Sequence, residues 1–143
     1  MFALTMGPGT DLAFPDVCLT PSPVGTLPIP YPDVSMSATS EPVCENILYE
    51  CTPTLSQAST GSVSVGDEPG VAGGVVSHDE SGEALYILGC LTIFVDGMPQ
   101  QRLTSVTGQN AMGVLPNAPG ACIAPSQVTV LTLGCLSFLS NCA

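Results

Sequence analysis

Apolar alternation of period two runs through the second half of the chain. In "GSVSVGD" (residues 61–67), Val63 and Val65 alternate with serine. In "LTIFV" (91–95), Leu91, Ile93 and Val95 share one face and Thr92 and Phe94 the other. In "VTVLTLG" (128–134), Val128 and Val130 alternate before the phase shifts to Leu131 and Leu133. Such segments, bounded by Gly, Pro, Asn and Asp, predict short strands. Asp96-Gly97 is a tight-turn signal, because glycine accepts the positive φ that a two-residue hairpin demands. "GVAGGVV" (70–76) predicts a close backbone approach and "HDESGEA" (78–84) a polar loop tip. No stretch of ten or more residues shows helical periodicity. The expected class is all-β, with many short strands.

The first sixty residues read differently. "FPDVCLTPSPVGTLPIPYPDV" (14–34) contains six prolines, each of which removes a backbone donor and fixes φ. Extended, polyproline-like chain is expected there, held against the core by its Val, Leu, Ile and Tyr; a helix or a central strand is not. "CENILYE" (44–50) fits helix or strand, and strand is preferred. "TPTLSQA" (52–58) predicts one helical turn, capped by Thr52 with Pro53 at the first helical position. At 143 residues the chain is expected to be one domain. Its parts are a proline-rich extended segment (1–60), a β-hairpin core (61–134) and a short tail (135–143).

Charge narrows the function classes. Only 9% of the residues are charged, and twelve carboxylates face a single cation, Arg102, for a net charge of −11. Such a chain repels phosphate backbones and cannot form a basic track, so nucleic acid is not an expected partner. The longest apolar run, Leu85 to Val95, falls far short of the roughly 20 residues of a spanning helix, and no stable membrane insertion is expected. The opening "MFALTMGPGTD" has no positively charged leader, which gives the cytoplasm as the expected location. Seven cysteines are then expected to be reduced and to pack as small hydrophobes.

The candidate chemistry is thin. A structural zinc needs four ligands, and the chain has one histidine, His78, and no Cys-x-x-Cys. A nucleophilic pair of His78 with a cysteine lacks any local signature. The carboxylates at Asp67-Glu68 and Asp79-Glu80 read as solvated turns, and "GVAGG" lacks the lysine of a phosphate loop. No catalytic, cofactor-binding or metal-ligating residue is assigned, and stability is expected to owe nothing to zinc or disulfides.

A strand, the Asp96-Gly97 turn, and then Pro99-Gln100-Gln101-Arg102 opening the return strand resemble the hairpin that names the PAAR proteins. "FPDVCLTPSPVGTLPIPYPDV", "GDEPGVAGGVVSH", "FVDGMPQQRLTSVTGQNAMG" and "PSQVTVLTLG" follow in order, and together resemble the PAAR-like branch over about residues 1–134. The resemblance implies a small conical fold of short strands and hairpins in pseudo-threefold arrangement. It implies a non-catalytic tip on the spike of a bacterial type VI secretion system. The partner would be the trimeric valine-glycine-repeat (VgrG-type) spike protein, capped one copy per trimer. A separately encoded toxin effector, or its chaperone, would be a second partner, and the alternative role is an effector-loading adaptor. Such a protein waits in the bacterial cytoplasm and is exported by the apparatus without a cleaved signal peptide. Many PAAR proteins hold zinc near the apex with three histidines and a cysteine, a set this chain does not have. Asp96, Gly97, Pro99 and Arg102 form the hairpin motif. Alternation puts Gln100, Arg102 and Thr104 on one face, Gln101 and Leu103 on the other. In a tapering body Arg102 is expected to be buried, its five donors bonding carbonyls or a carboxylate.

Overall fold

The computed structural model describes residues 1–134. Among the described residues twelve strands are formed, and helix is confined to a single 3-10 turn at Ser37–Thr39. The strands are β1 (Thr10–Ser22), β2 (Gly25–Met36), β3 (Ser40–Glu41), β4 (Cys44–Tyr49), β5 (Thr52–Thr54), β6 (Thr60–Gly61), β7 (Ser64–Val65), β8 (Glu83–Leu88), β9 (Cys90–Val95), β10 (Met98–Gln100), β11 (Val106–Ala111) and β12 (Ala118–Ala124). Eight make one antiparallel sheet in the order β3-β6-β8-β11-β12-β1-β2-β7, while β4–β5 and β9–β10 are separate hairpins. The sheet curls into a half-barrel, and the molecule is all-β. Its two outermost strands, β3 and β7, are each joined by a short link to a strand on the opposite side of the sheet. Residues 37–39 link β2 to β3 and residues 62–63 link β6 to β7, with the Ser62 amide donating to the Thr39 carbonyl at 3.3 Å.

The proline-rich segment departs from expectation. Residues 14–34 belong to the long β1–β2 hairpin, and β1 lies inside the sheet between β12 and β2. Two features make this compatible with the prolines. Pro15 falls where the register shifts between Ala13 and Asp16, a bulge that needs no ladder donor. Pro28, Pro30 and Pro32 are two residues apart, so their missing donors all lie on one edge of β2. That edge points away from β1, and β7 covers it only at Val34 and Ser35.

Residues 52–58 are not a helical turn. Thr52–Thr54 is strand β5, paired with β4 through Tyr49↔Thr52 and Leu48↔Pro53. Tertiary pairing overrides the local capping pattern: the Met6 amide donates to the Pro53 carbonyl at 2.8 Å and the Leu55 amide to the Leu4 carbonyl at 3.1 Å, which needs extended chain. Residues 128–134 form no strand and contribute one isolated bridge, Leu131 to Phe2.

The opening residues thread the interior. Amides of Ala3, Leu4 and Met6 donate to carbonyls of Val130, Gln101 and Pro53, and the Leu103 amide donates to the Phe2 carbonyl. Around this thread lies a small apolar cluster of Leu4, Leu55, Tyr86 and Cys122, with Met6, Val43 and Leu103 against it. Most other buried side chains are Ser, Thr, Asp, Asn and Gln. Buried polar groups are tolerable only when hydrogen-bonded, and many here are. Gln127 donates to the carbonyls of Ala3 and Val130 and accepts from the amides of Thr129 and Val130.

Candidate functional site

Two buried constellations emerge: the hairpin around Arg102 and an acidic nest around Cys18. Asp96 and Gly97 turn β9 into β10 with φ of +51° and +77°, the geometry of a two-residue turn in which both central residues are left-handed. Met98 faces Val95 and Pro99 faces Phe94; the register then shifts, so that Gln100 pairs with Cys90. Beyond the shift the return segment leaves β9. The Gln101 amide donates to the Leu55 carbonyl at 3.0 Å, and Arg102 bridges Ala3. Both faces of this segment are therefore covered, and the expected alternation fails. Gln100, Gln101 and Arg102 are consecutive and all buried.

Arg102 is 3% exposed. Its Nη1 donates to the Gly134 carbonyl and its backbone amide to Ser105 Oγ at 3.0 Å. Cys90 adjoins it. Burial acts to raise the Cys90 thiol, but hydrogen bonds from Thr92, together with the Arg102 charge, bring it below the usual thiol value. The single arginine of the chain thus serves the interior, where it ties Gly134 to the hairpin.

The acidic nest gathers residues from four segments. β1 supplies Asp16 and Cys18, which share a face because they are two apart on a strand. β2 supplies Asp33, the loop after β7 supplies Asp67, and β11 supplies Asn110. All five are 0% exposed. The Cys18 thiol lies 3.1 Å from Asp67 Oδ2 and 3.6 Å from Asp16 Oδ1. Asn110 Nδ2 donates to Asp67 Oδ2 at 2.6 Å, and Asn117 Nδ2 donates to Asp16 Oδ1 and, at 3.1 Å, to the Val17 carbonyl. The Gly82 amide fixes Asn110 through its Oδ1, and the Val76 and Ser77 amides fix Asn117 through its own.

Glycines let the enclosing loop come this close. A Cβ on Gly70 would stand 2.3 Å from Cys18 Cβ, and one on Gly74 would meet the Asn117 amide at 2.4 Å. This is the close approach that "GVAGGVV" predicts.

Burial dominates the electrostatics of the nest. It pushes Asp33 up to about 7; the Ser64 hydroxyl opposes this, and the charges of Asp67 and Asp16 add to it. Asp67 is raised by burial, with the Cys18 hydrogen bond acting the other way. The Cys18 thiol is raised by burial and then by its hydrogen bond to Asp67. Asp16 Oδ2 and Asp67 Oδ1 are buried with no hydrogen-bond partner among the described residues, and so are both Asp33 oxygens, because the nearby Ser64 hydroxyl donates to the Gly82 carbonyl instead.

Sequence reading missed this nest. Asp67 was expected in a solvated turn and is fully buried, because the glycine-rich loop folds it inward onto Cys18; Glu68 beside it is exposed. Cys18, Cys44, Cys90 and Cys122 are buried as expected, whereas Cys51 is exposed and Cys135 and Cys142 lie outside the described residues. Cys18 is no bland hydrophobe, since its neighbours are carboxylates. The available signal was "PDVC" (15–18), an aspartate and a cysteine two apart in a segment otherwise devoid of charge until Asp33. His78 sits exposed in a turn with φ of +63°.

The model of one protein family, described as "Toxin PAAR-like domain", matches residues 9–116. No curated protein and no solved structure matches the chain. The matched span contains the Asp96-Gly97 hairpin, Arg102, and the three carboxylates and the cysteine of the nest. With most of its length so matched, and with the curled all-β body just described, the chain belongs to the toxin PAAR-like domain family.

Proposed function

We propose that this protein is the non-catalytic tip of a type VI secretion spike, seated on the end of a trimeric valine-glycine-repeat spike protein at one copy per trimer. The family match over residues 9–116 carries the reading. The interior supports it. A thread of opening residues, a buried arginine and many buried hydrogen bonds tie distant segments together, as a body that must survive mechanical loading requires. Short strands at the rim of the sheet offer backbone edges that can add onto the end of a trimer.

The thiol chemistry favours a structural role over a hydrolytic one. Burial raises the Cys18 and Cys122 thiols, which disfavours the nucleophilic thiolate, and the lowered Cys90 thiol is fully enclosed. Cys18 faces carboxylates, while His78 is turned outward. In this reading the protein waits in the bacterial cytoplasm and leaves with the spike.

The word "toxin" in the family description supports a second role, an adaptor that loads a separate toxin effector or its chaperone. Mass photometry of the protein mixed with candidate spike trimers separates the two. A tip gives one copy per trimer without cargo. Three copies per trimer, or binding only when toxin is present, would reject the tip assignment.

A further inference from the structure

We propose that the cleft between the Asp96-Gly97 turn and the turn at residues 56–59 is a docking pocket for a lysine side chain projecting from a partner protein. The cleft holds about 150 Å³. Pockets for small-molecule ligands begin near ~300 Å³, so this one has room for a single side chain and not for a substrate. Its walls are Pro42, Val43, Ala58 and Met98, its floor is the buried Cys44, and Asp96 stands exposed at its edge. A slender apolar stem ending in a cation matches that order of surfaces. Its methylenes cover apolar wall while the charged head stays at the solvated edge.

The pocket is built in advance of any partner. Ser59 Oγ donates to the Pro42 carbonyl at 2.6 Å, and the Gln57 amide donates to the Pro99 carbonyl at 2.9 Å. The 56–59 turn is thereby pinned to the Pro42 wall on one side and to the β9–β10 hairpin on the other. Inside the turn, Ser59 Oγ accepts from the Ser56 amide at 3.1 Å, and Ser56 Oγ from the Ala58 amide at 3.3 Å. Walls already held by hydrogen bonds lose little freedom on binding, which favours a specific contact over a small area.

Charge selects the occupant. Asp96 lines the pocket, and Glu41 and Glu45 flank the Pro42–Cys44 wall in sequence; all three are exposed. No lysine or arginine of this chain can answer them, since lysine is absent and Arg102 is buried against Gly134. A second copy carries the same net charge of −11 and the same lack of cations. The complement must therefore come from a different protein. Lysine suits the cleft better than arginine, because a single edge carboxylate over a narrow apolar slot calls for a compact charge on a thin stem, not a broad planar fork. The pocket requires only a partner with a projecting lysine, and is the same whether that partner is the spike or a toxin.

The test uses the full chain with labelled methyl groups, titrated by NMR with Nα-acetyl-lysine methylamide, its neutral norleucine counterpart and its arginine counterpart. The lysine probe should shift the methyl groups of Val43, Ala58 and Met98 saturably. The norleucine probe should bind about three- to fivefold more weakly, the size of a partly exposed ion pair. Asp96→Asn keeps the turn, because Asn-Gly suits it as well as Asp-Gly, and should bring the lysine probe down to the norleucine level. Ala58→Leu should close the pocket to all three probes. Absence of saturable shifts, equal binding of lysine and norleucine, or lysine binding undiminished by Asp96→Asn or by Ala58→Leu would overturn the pocket. So would tighter binding of the arginine probe, or equal shifts around the exposed Glu68 outside the cleft, which would mark general attraction to an acidic surface.

Discussion

The Tyr86 hydroxyl donates to Asp11 Oδ2 at 3.1 Å inside the curled sheet, joining β8 to β1 across 75 residues. Asp11 is 1% exposed and Tyr86 4%. Burial raises the Asp11 carboxyl above its ordinary value, against hydrogen bonds from Cys122, Tyr86 and Ser35. The folded state therefore holds this proton more tightly than the unfolded state does. The resulting stability is full below the unfolded carboxylate value and is lost as pH rises through the raised folded one. Asp11→Asn keeps an acceptor for Tyr86 but cannot ionise. Its melting temperature should exceed that of the parent at neutral pH, with the gap closing as pH falls below the ordinary carboxylate range. Asp33 and Asp67 titrate in both proteins, so the difference between the two profiles isolates Asp11. A gap independent of pH would refute the assignment.

Arg102→Ala should destabilise the fold. The substitution takes the donor from the half-buried Gly134 carbonyl, at a cost of at most about 1–3 kcal/mol. A carboxylate partner would raise the cost to about 3–5 kcal/mol, but the recorded partner is a neutral carbonyl. Lysine can reach the carbonyl but lacks the planar fork, so Arg102→Lys should recover part of the loss. Thermal melts give the magnitude. Hydrogen exchange should show the loss of protection centred on residues 128–134. Unchanged melting together with lost spike binding would move Arg102 from the interior to an interface.

Legibility in the sequence followed the range of the interaction. The Asp96-Gly97 turn and the "LTIFV" strand are local, and both stand where the pattern puts them. The turn at Glu50-Cys51, with φ of +52° and +61°, uses residues that give no turn signal, so the β4–β5 hairpin could not be read. Gln100 and Gln101 look like two faces of an exposed strand until the opening residues of the chain enclose them. The acidic nest was hidden for the same reason. Asp67 becomes interior only when a glycine-rich loop folds onto a cysteine 49 residues away. In a body whose interior is largely polar, hydropathy marks strands but does not mark burial.

Two glycines separate packing from backbone conformation. Gly70 backs onto Cys18, where a Cβ would stand 2.3 Å from the cysteine Cβ. Gly70→Ala must displace β1 or the loop, an overpacking cost of about 1–3 kcal/mol. Gly113 has φ of +66° and nothing within 4 Å of an added Cβ. Gly113→Ala therefore carries only the left-handed backbone cost of about 1–2 kcal/mol. Denaturant melts should show both losses. Only Gly70→Ala should also change the reactivity of the Cys18 thiol, read by alkylation of the native protein with Cys51 blocked. Equal thiol protection in the two variants would show that the loop does not depend on that contact.

The prolines of β2 yield the last prediction. Leu19 pairs with Pro28 and Val17 with Pro30, so the hairpin is complete on its inner side despite the missing donors. Amide directions alternate along a strand, and Pro28, Pro30 and Pro32 therefore strip donors from the outer edge alone. Over residues 25–31 that edge has no backbone partner among the described residues. Bare edges invite pairing with a second chain, and prolines along an edge are one of the devices that prevent it. Here the device protects an exposed hairpin that also presents Val24 and Leu27. Pro28→Thr with Pro30→Thr restores two outward amides in a residue type that favours strands. The double variant should self-associate as its concentration rises, measured by sedimentation or light scattering, while the parent stays monomeric. Its melting temperature at low concentration should fall only slightly, because each replaced proline forfeits about 0.4–1 kcal/mol of unfolded-state restriction. A variant that stays monomeric at every concentration would show that strand twist protects the edge and the prolines do not.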